Sequence, residues 1–391
     1  MSIKHIHKTN FYSDIFEENT IPSVYKNFKL KHQNEKFSEL VIKKMPAAKV
    51  YAFELIPDYI DLKIKDGFIC NKSFQKFGYA LELNAYNSVD DYIKNEFKTS
   101  FRKNFSRIKN KFESSFNVKY EVFYGDNITI ENYGVLMKSL HTMLKKRFQE
   151  RNDRNLVLEN WEHYLSITFK QVHEKKASLF VTFCDEEPVA ISLNYHLENL
   201  LYSAIASYDL DFSKFSLGNT IIYKLVEWSY NNNYEFIDLG YGNFNHKQVW
   251  CNKTYSFENN IVYKKSVYFG KTYSIFIKYK NLLVNYLISK KVNVLYKNIK
   301  GFFKTKNKKN LTNSLSLQVM KVNHLTENDS KNLAKINFKE QNYLFLRKSI
   351  NDFIYSNKTH IDNVSLYKSN IENSFYVKGL KNSIKITVIK H

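Results

Sequence analysis

The sequence predicts an α/β protein built on a mixed central sheet flanked by helices, and three observations lead there. Residues 177–184 (ASLFVTFC), 189–197 (VAISLNYHL) and 200–209 (LLYSAIASYD) are apolar runs joined by short turns, the signature of an antiparallel meander. A helical stretch, IIYKLVEWSYNNN (221–233), then leads to the apolar run EFIDLG (235–240). Because strand-helix-strand crossovers are right-handed and parallel, 235–240 is expected beside the third meander strand.

The flanking elements follow in order. KVYAFELI (49–56) and GYALELN (78–84) read as strands, and Ser88 with Asp91 forms a capping box that opens a helix. In that helix Phe97, Phe101, Phe105, Ile108 and Phe112 share one face, while Lys98, Arg102, Lys103, Arg107, Lys109 and Lys111 line the rest. NVKYEVFYG (117–125) closes this first unit, and helices over about 129–151 and 159–175 precede the meander. NNIVYKKSVYFG (259–270) is read as the last strand of the sheet. Residues 271–303 read as a basic amphipathic helix, followed by the linker KTKNKKN. The pattern resumes with LSLQVMKV, a capped helix near Thr326, a helix around 340–355 and strands at NVSLYK, SFYVKG and IKITVIK. The expected organisation is an α/β unit over 1–125, a second over 126–270, the basic segment over 271–310 and a small α+β appendage over 311–391.

Composition bounds the function. With 43% hydrophobic and 16% aromatic residues, the chain can bury a sizeable core and is not of the disordered class. The formal charge of +21 is concentrated: from Asn259 to Thr326 there are fourteen lysines, no arginine and no acidic residue. A field localised in this way favours an anionic partner such as phospholipid headgroups or nucleic acid. Three cysteines without a C-x-x-C spacing argue against a disulfide framework or a zinc site, so no metal is expected. The N-terminal residues lack the apolar core of a signal peptide, and no run approaches the roughly 18 apolar residues of a spanning helix. The expected location is cytoplasmic, with peripheral contact at the inner membrane face through 271–310.

Ten glycines serve 391 residues, yet Gly240 and Gly242 lie two apart in FIDLGYGNFNHKQVW (236–250), directly after a strand carrying Asp238. Such glycines allow a positive φ or close approach of backbone to a ligand. Ser216, Leu217, Gly218, Asn219 and Thr220 precede the helix that leads to this strand. Free amides and the helix dipole make such a place suited to an anion, although Ser216 or Asn219 also suit plain capping.

The run from about 93 to 265 resembles the acetyltransferase-like domain of the GNAT superfamily in its FemAB-related branch, a group that includes proteins linked to cellulose and envelope polysaccharide biosynthesis. The resemblance is carried by SFRKNFSRIKNKFE (100–113), EEPVAISLNYHLENLLYSAIASYD (186–209), SLGNTIIYKLVEWS (216–229) and FIDLGYGNFNHKQVW, which has the family's Asp-x-Gly-x-Gly run followed by a Lys and a Trp. It implies that the third meander strand and the next parallel strand splay apart. The pantetheine of an acyl-CoA, acetyl-CoA in the simplest case, then lies in the split, with Ser207, Ser216, Gly218, Asn219 and Thr220 holding the cofactor. Asp238, as a base or as a structural acid, Lys247 and Tyr208 are the candidate catalytic residues. Asp209, Gly240, Gly242, His246 and Trp250 are the candidate acceptor contacts. The superfamily's Arg/Gln-x-x-Gly-x-Gly/Ala loop is absent; only Gly218 remains, and Leu217 stands where relatives often have Pro.

The expected function is therefore an acyltransferase moving an acyl group to an amine or hydroxyl of a cell-envelope saccharide or lipid precursor. The alternatives are a FemAB-type transferase that takes its group from aminoacyl-tRNA, and a non-catalytic module binding membrane or nucleic acid. Tandem FemAB-like proteins further suggest that 1–125 is a degenerate second copy of the fold.

Overall fold

The computed structural model describes residues 4–31, 40–151, 153–242, 245–290, 315–322 and 332–390. The strands of the large sheet are β1 (Lys4–Asn10), β2 (Ala48–Pro57), β3 (Phe68–Glu82), β4 (Val118–Phe123), β5 (Ala177–Cys184), β6 (Glu187–Leu197), β7 (Leu200–Tyr208), β8 (Phe236–Tyr241) and β9 (Lys253–Lys264). Across the sheet they run β1-β2-β9-β3-β8-β7-β6-β5-β4. The helices are α1 (Phe11–Phe16), α2 (Val89–Glu96), α3 (Thr99–Ser115), α4 (Ile130–Arg151), α5 (Trp161–His173), α6 (Leu217–Asn231), α7 (Asn245–Trp250), α8 (Tyr268–Ser289) and α9 (Arg347–Asn357). The chain forms two compact units that share β6 and β7: one holds residues 1–92, 194–204 and 228–309, the other 93–193, 205–227 and 310–391.

In the first unit β9 is antiparallel to both β2 and β3, and β3 is antiparallel to β8. Alternation sets which face of β9 is buried: Tyr255 and Phe257 point inward while Thr254 is exposed and Ser256 half-buried. That alternation starts the strand at Lys253, six residues before the predicted Asn259, and α8 begins at Tyr268 within the segment predicted as strand. Val50, Ala52, Ile261, Tyr263 and Ile277 form one buried cluster that seats α8 on the sheet. The basic helix therefore covers 268–289; the rest of its predicted length and the linker, like the helix predicted near Thr326, lie largely outside the described residues.

In the second unit β4 pairs antiparallel with β5, and the predicted meander is present as β5, β6 and β7. Leu210–Phe215 is a 3₁₀ helix followed at once by α6, so Leu217–Thr220, expected to precede the helix, form its first turn. Ser216 adopts a left-handed conformation (φ 56°) that reverses the chain, and the fully buried Leu217 anchors the first turn, so α6 starts four residues earlier than its periodicity suggests. Phe112, Phe116, Phe212 and Phe215 pack edge to face around this turn. The C-terminal strands form a second, five-stranded antiparallel sheet, whose strands are β10 (Leu315–Val322), β11 (Leu333–Ile336), β12 (Ser365–Ser369), β13 (Ser374–Lys378) and β14 (Ser383–Lys390), in the order β10-β14-β13-β12-β11. The helix predicted around 340–355 is a 3₁₀ turn, Gln341–Leu346, leading into α9.

Candidate functional site

β7 and β8 are parallel, as predicted, but their pairing is short. It comprises Leu200 with Phe236, Leu201 with Ile237 and Tyr202 with Asp238. β7 runs on to Tyr208 and β8 to Tyr241. Beyond Asp238, β8 keeps β3 as its partner through a bulge that ends in the pair Tyr241 and Gly78. Gly240 (φ 68°) and Gly242 (φ 100°) both take the positive φ foreseen for them.

The physical reason for Gly240 is Asp238. Its carboxylate is fully buried and accepts from the Gly240 amide at 2.6 Å, an arrangement that curls the strand end onto its own side chain. Three tyrosyl hydroxyls donate to the same carboxylate: Tyr59 at 2.7 Å, Tyr255 at 2.8 Å to each oxygen, and Tyr12. Burial lifts the Asp238 pKa above the ordinary carboxyl range, while the four donors pull against that rise. Burial also pushes the hydroxyls of Tyr12, Tyr59 and Tyr255 well above the usual tyrosine range, so they remain donors. Of the two roles open to Asp238 from sequence, these contacts fit the structural one: a carboxylate that locks the end of β8 to three other segments.

Lys247 extends the lock. From α7 its ammonium donates to the Leu239 carbonyl at 2.5 Å and the Tyr241 carbonyl at 2.7 Å, the residues on either side of Gly240. Burial lowers its pKa to about 8. Trp250, at the end of the same helix, is fully buried and its carbonyl accepts from the Tyr92 hydroxyl. Residues 245–250 are helical, and Gly242 takes a positive φ ahead of them. The side chain of His246 lies outside the described residues.

In the second unit Ser207, Tyr208, Asp209, Ser216, Gly218, Asn219 and Thr220 converge on the end of β7 and the start of α6. A Cβ on Gly218 would stand 3.4 Å from the Tyr208 ring, so the ring lies against the first turn of the helix. The Arg147 guanidinium sits 5.3 Å over that ring from α4. It is half-buried and forms no salt bridge among the described residues, and burial followed by neighbouring Arg151 lowers its pKa. Ser207 Oγ is buried and has no hydrogen-bond partner among the described residues. Asn219 Nδ2 donates to Ser216 Oγ at 2.8 Å, so these two side chains tie the helix start to itself, and Thr220 is buried. Asp209 is held by Arg347 of α9, which also reaches Asp211 at 2.9 Å and Glu187 at 3.1 Å. Arg147 and Arg347 gave no signal in sequence, since neither lies in a motif. Tyr12 and Tyr59 are two of 29 tyrosines. Gly78 did carry a signal, a glycine inside a strand of a glycine-poor chain.

Residues 99–248 match the family described as acetyltransferase (GNAT) domain. Over this segment the chain is similar to the GNAT family. The segment includes the end of β7, the start of α6, Asp238 and Lys247, and the mixed central sheet flanked by helices predicted from sequence is the one observed. Solved structures similar to the chain include the L-PGS of Bacillus licheniformis, with 13% identity, 58% of this chain and 72% of that one covered and a TM-score of 0.35. Another is the C-terminal DUF2156 domain of a putative lysylphosphatidylglycerol synthetase from Agrobacterium fabrum, with 14% identity, 54% and 67% coverage and a TM-score of 0.37. A third is FemX, with 10% identity, 55% and 72% coverage and a TM-score of 0.38. At these scores none of them carries the likeness, which rests on the match over residues 99–248. No curated protein sequence matches the chain.

Proposed function

We propose that the chain is a transferase that moves an acyl group from acyl-CoA to an amine or hydroxyl of a cell-envelope precursor. The observation that carries this reading is the parallel pairing that stops at Tyr202 and Asp238 inside the segment that matches the GNAT domain, which leaves the later residues of β7 free of β8 as a thioester donor requires. The donor's phosphates go to the first turn of α6 at Gly218, where amides and dipole favour an anion, with the unpaired Arg147 guanidinium supplying positive charge. The acceptor nitrogen or oxygen attacks the thioester carbonyl, the carbon–sulfur bond breaks, the Tyr208 hydroxyl protonates the departing thiolate, and the acceptor's proton, relayed through solvent, restores the phenol.

A second reading, transfer from aminoacyl-tRNA, is favoured by one feature of the same unit. Thr99, Arg102, Lys103, Ser106, Arg107 and Asn110 line an open cavity of about 550 Å³ along α3 with no acidic residue among them. This suits a phosphodiester backbone.

Differential scanning fluorimetry of the full chain with acetyl-CoA, a long-chain acyl-CoA and aminoacyl-tRNA separates the readings. Stabilisation by a CoA thioester that is lost in Arg147→Ala supports the first. Stabilisation by aminoacyl-tRNA alone, lost in Arg102→Ala/Arg107→Ala, replaces it with the second, and no response to any donor overturns both.

A further inference from the structure

The helix α8 is amphipathic in the reverse sense. The stripe that meets the sheet is small or polar apart from Ile277: Gly270, Ser274, Asn281 and Asn285 flank that one buried aliphatic. Gly270 is obligatory there, since a Cβ would fall 2.1 Å from the Tyr263 ring. Asn71 Nδ2 donates to Ser274 Oγ at 2.8 Å, Asn281 Nδ2 to the Phe74 carbonyl at 3.2 Å, and Asn285 Nδ2 to the Gln75 carbonyl at 2.9 Å. Amide hydrogen bonds to the sheet thus supplement the small apolar cluster around Ile277.

The opposite face is apolar and bare. Ile275, Phe276, Tyr279, Leu282, Leu283 and Tyr286 are between 46% and 64% exposed. At 100° per residue they span one continuous arc, bordered by Lys271 and Lys278 on one edge and by Lys280 on the other. These lysines form no salt bridge among the described residues, and no acidic residue occurs between Asn259 and Thr326. A contiguous apolar face of this kind marks an interaction site rather than ordinary surface. The helix is about 33 Å long by its rise, and among the described residues no helix is long and apolar enough to cross a membrane.

We propose that this face lies flat on an anionic lipid bilayer, with the aromatic and aliphatic side chains entering the headgroup boundary and Lys271, Lys278 and Lys280 meeting lipid phosphates. The occupant follows from charge and geometry together. Cations border both edges of an apolar arc on an acid-free segment, the distribution that an in-plane helix on anionic lipid requires. The inference is independent of which donor the transferase domain takes.

The test is co-sedimentation of the full chain with vesicles of phosphatidylcholine alone and with 30% phosphatidylglycerol, at low and high salt. The expected result is binding to the anionic vesicles only, weakened by salt. Two exposed-face variants, Phe276→Ser/Tyr279→Ser/Leu283→Ser and Lys271→Glu/Lys278→Glu/Lys280→Glu, each lose about tenfold or more in affinity, with unchanged far-ultraviolet circular dichroism. Binding that both variants retain assigns the membrane to other lysines and overturns the proposal. So does equal binding to neutral vesicles, or a lipid-free dimer in light scattering that the serine variant dissociates.

Discussion

Tyr255 donates its hydroxyl to both oxygens of Asp238, 2.8 Å from each, and its ring reaches that position by lying across Gly78 on the neighbouring strand. Gly78 is the register partner of Tyr255 on one side and of Tyr241 on the other. A Cβ there would stand 2.2 Å from the Tyr255 ring, and the ring has no room to yield without leaving Asp238. Gly78→Ala is therefore expected to cost about 3 kcal/mol in chemical denaturation, as overpacking plus loss of a charged-acceptor hydrogen bond. Tyr255→Phe alone should cost about 2 kcal/mol. Because both act on one contact, the double variant should fall well short of the sum; full additivity would detach Gly78 from the Asp238 lock.

Gly240 is a different case. Its positive φ is required, but a Cβ would meet Tyr202 at an ordinary 3.5 Å. Gly240→Ala should cost only the left-handed backbone penalty, about 1–2 kcal/mol, and Gly240→Asn less, since asparagine tolerates that region. A larger loss for alanine than in Gly78→Ala would mean that space, not φ, governs the position.

Lys247 gives the structure a pH dependence of definite sign. The folded chain releases the Lys247 proton near pH 8 because of burial, whereas an unfolded lysine holds it to about 10.5. Between those values the unfolded state binds more protons, so this group makes stability rise with pH, by about 3 kcal/mol across the window. The neutral amine keeps two N–H donors for Leu239 and Tyr241, so the contacts survive deprotonation. The difference between wild type and Lys247→Met, measured by denaturation from pH 7 to 10.5, should grow with pH. A difference that shrinks over this range would place the folded pKa at or above the unfolded one.

The legible part of this architecture was whatever repeats along the chain. The meander, α4, α5 and the parallel placement of β8 follow from period and turn residues, which act over a few neighbours. Gly240 and Gly242 were legible because glycine is rare in this chain and positive φ is local. Asp238 was visible as an acid in an apolar strand, but its partners Tyr12, Tyr59 and Tyr255 come from segments far apart in sequence, and no spacing rule joins them. The early start of α6 was hidden for a related reason: the left-handed turn at Ser216 is fixed by burial of Leu217 and the phenylalanines around it, not by local propensity. In α8 the pattern was read correctly as amphipathic, yet which face met the sheet depended on amides bonding to β3, a tertiary choice.

Arg347 ties α9 to three carboxylates of the second unit: Asp209, Asp211 at 2.9 Å and Glu187 at 3.1 Å. Burial opposes the guanidinium charge, but the three acids outweigh it and hold its pKa above the ordinary value. Removing the cation leaves Asp209, only 8% exposed, among like charges. Arg347→Ala should destabilise the chain by about 3 kcal/mol, and Arg347→Lys should recover little of it because a lysine cannot match the forked geometry. Asp209→Asn in the Arg347→Ala background should restore part of the loss, and its failure to do so would show that repulsion is not the cause.

Arg147 is the residue whose change most directly tests how a donor is held. It lies over Tyr208 at 5.3 Å beside the helix start at Gly218 and is tied to no acid among the described residues, so replacing it removes no salt bridge there. Arg147→Ala is therefore expected to leave thermal stability within about 0.5 kcal/mol of wild type while weakening binding of a CoA thioester about tenfold, the effect of one lost charge-assisted hydrogen bond. Arg147→Lys should recover part of that affinity and Arg151→Ala, on the exposed side of the same helix, should change it little. Isothermal titration with CoA against dephospho-CoA and pantetheine locates the contact further: if Arg147 meets the pyrophosphate, the variant loses affinity for CoA and dephospho-CoA equally and none for pantetheine. An equal loss for pantetheine would place Arg147 on the thiol arm instead, and an unchanged affinity for all three would remove it from the donor site.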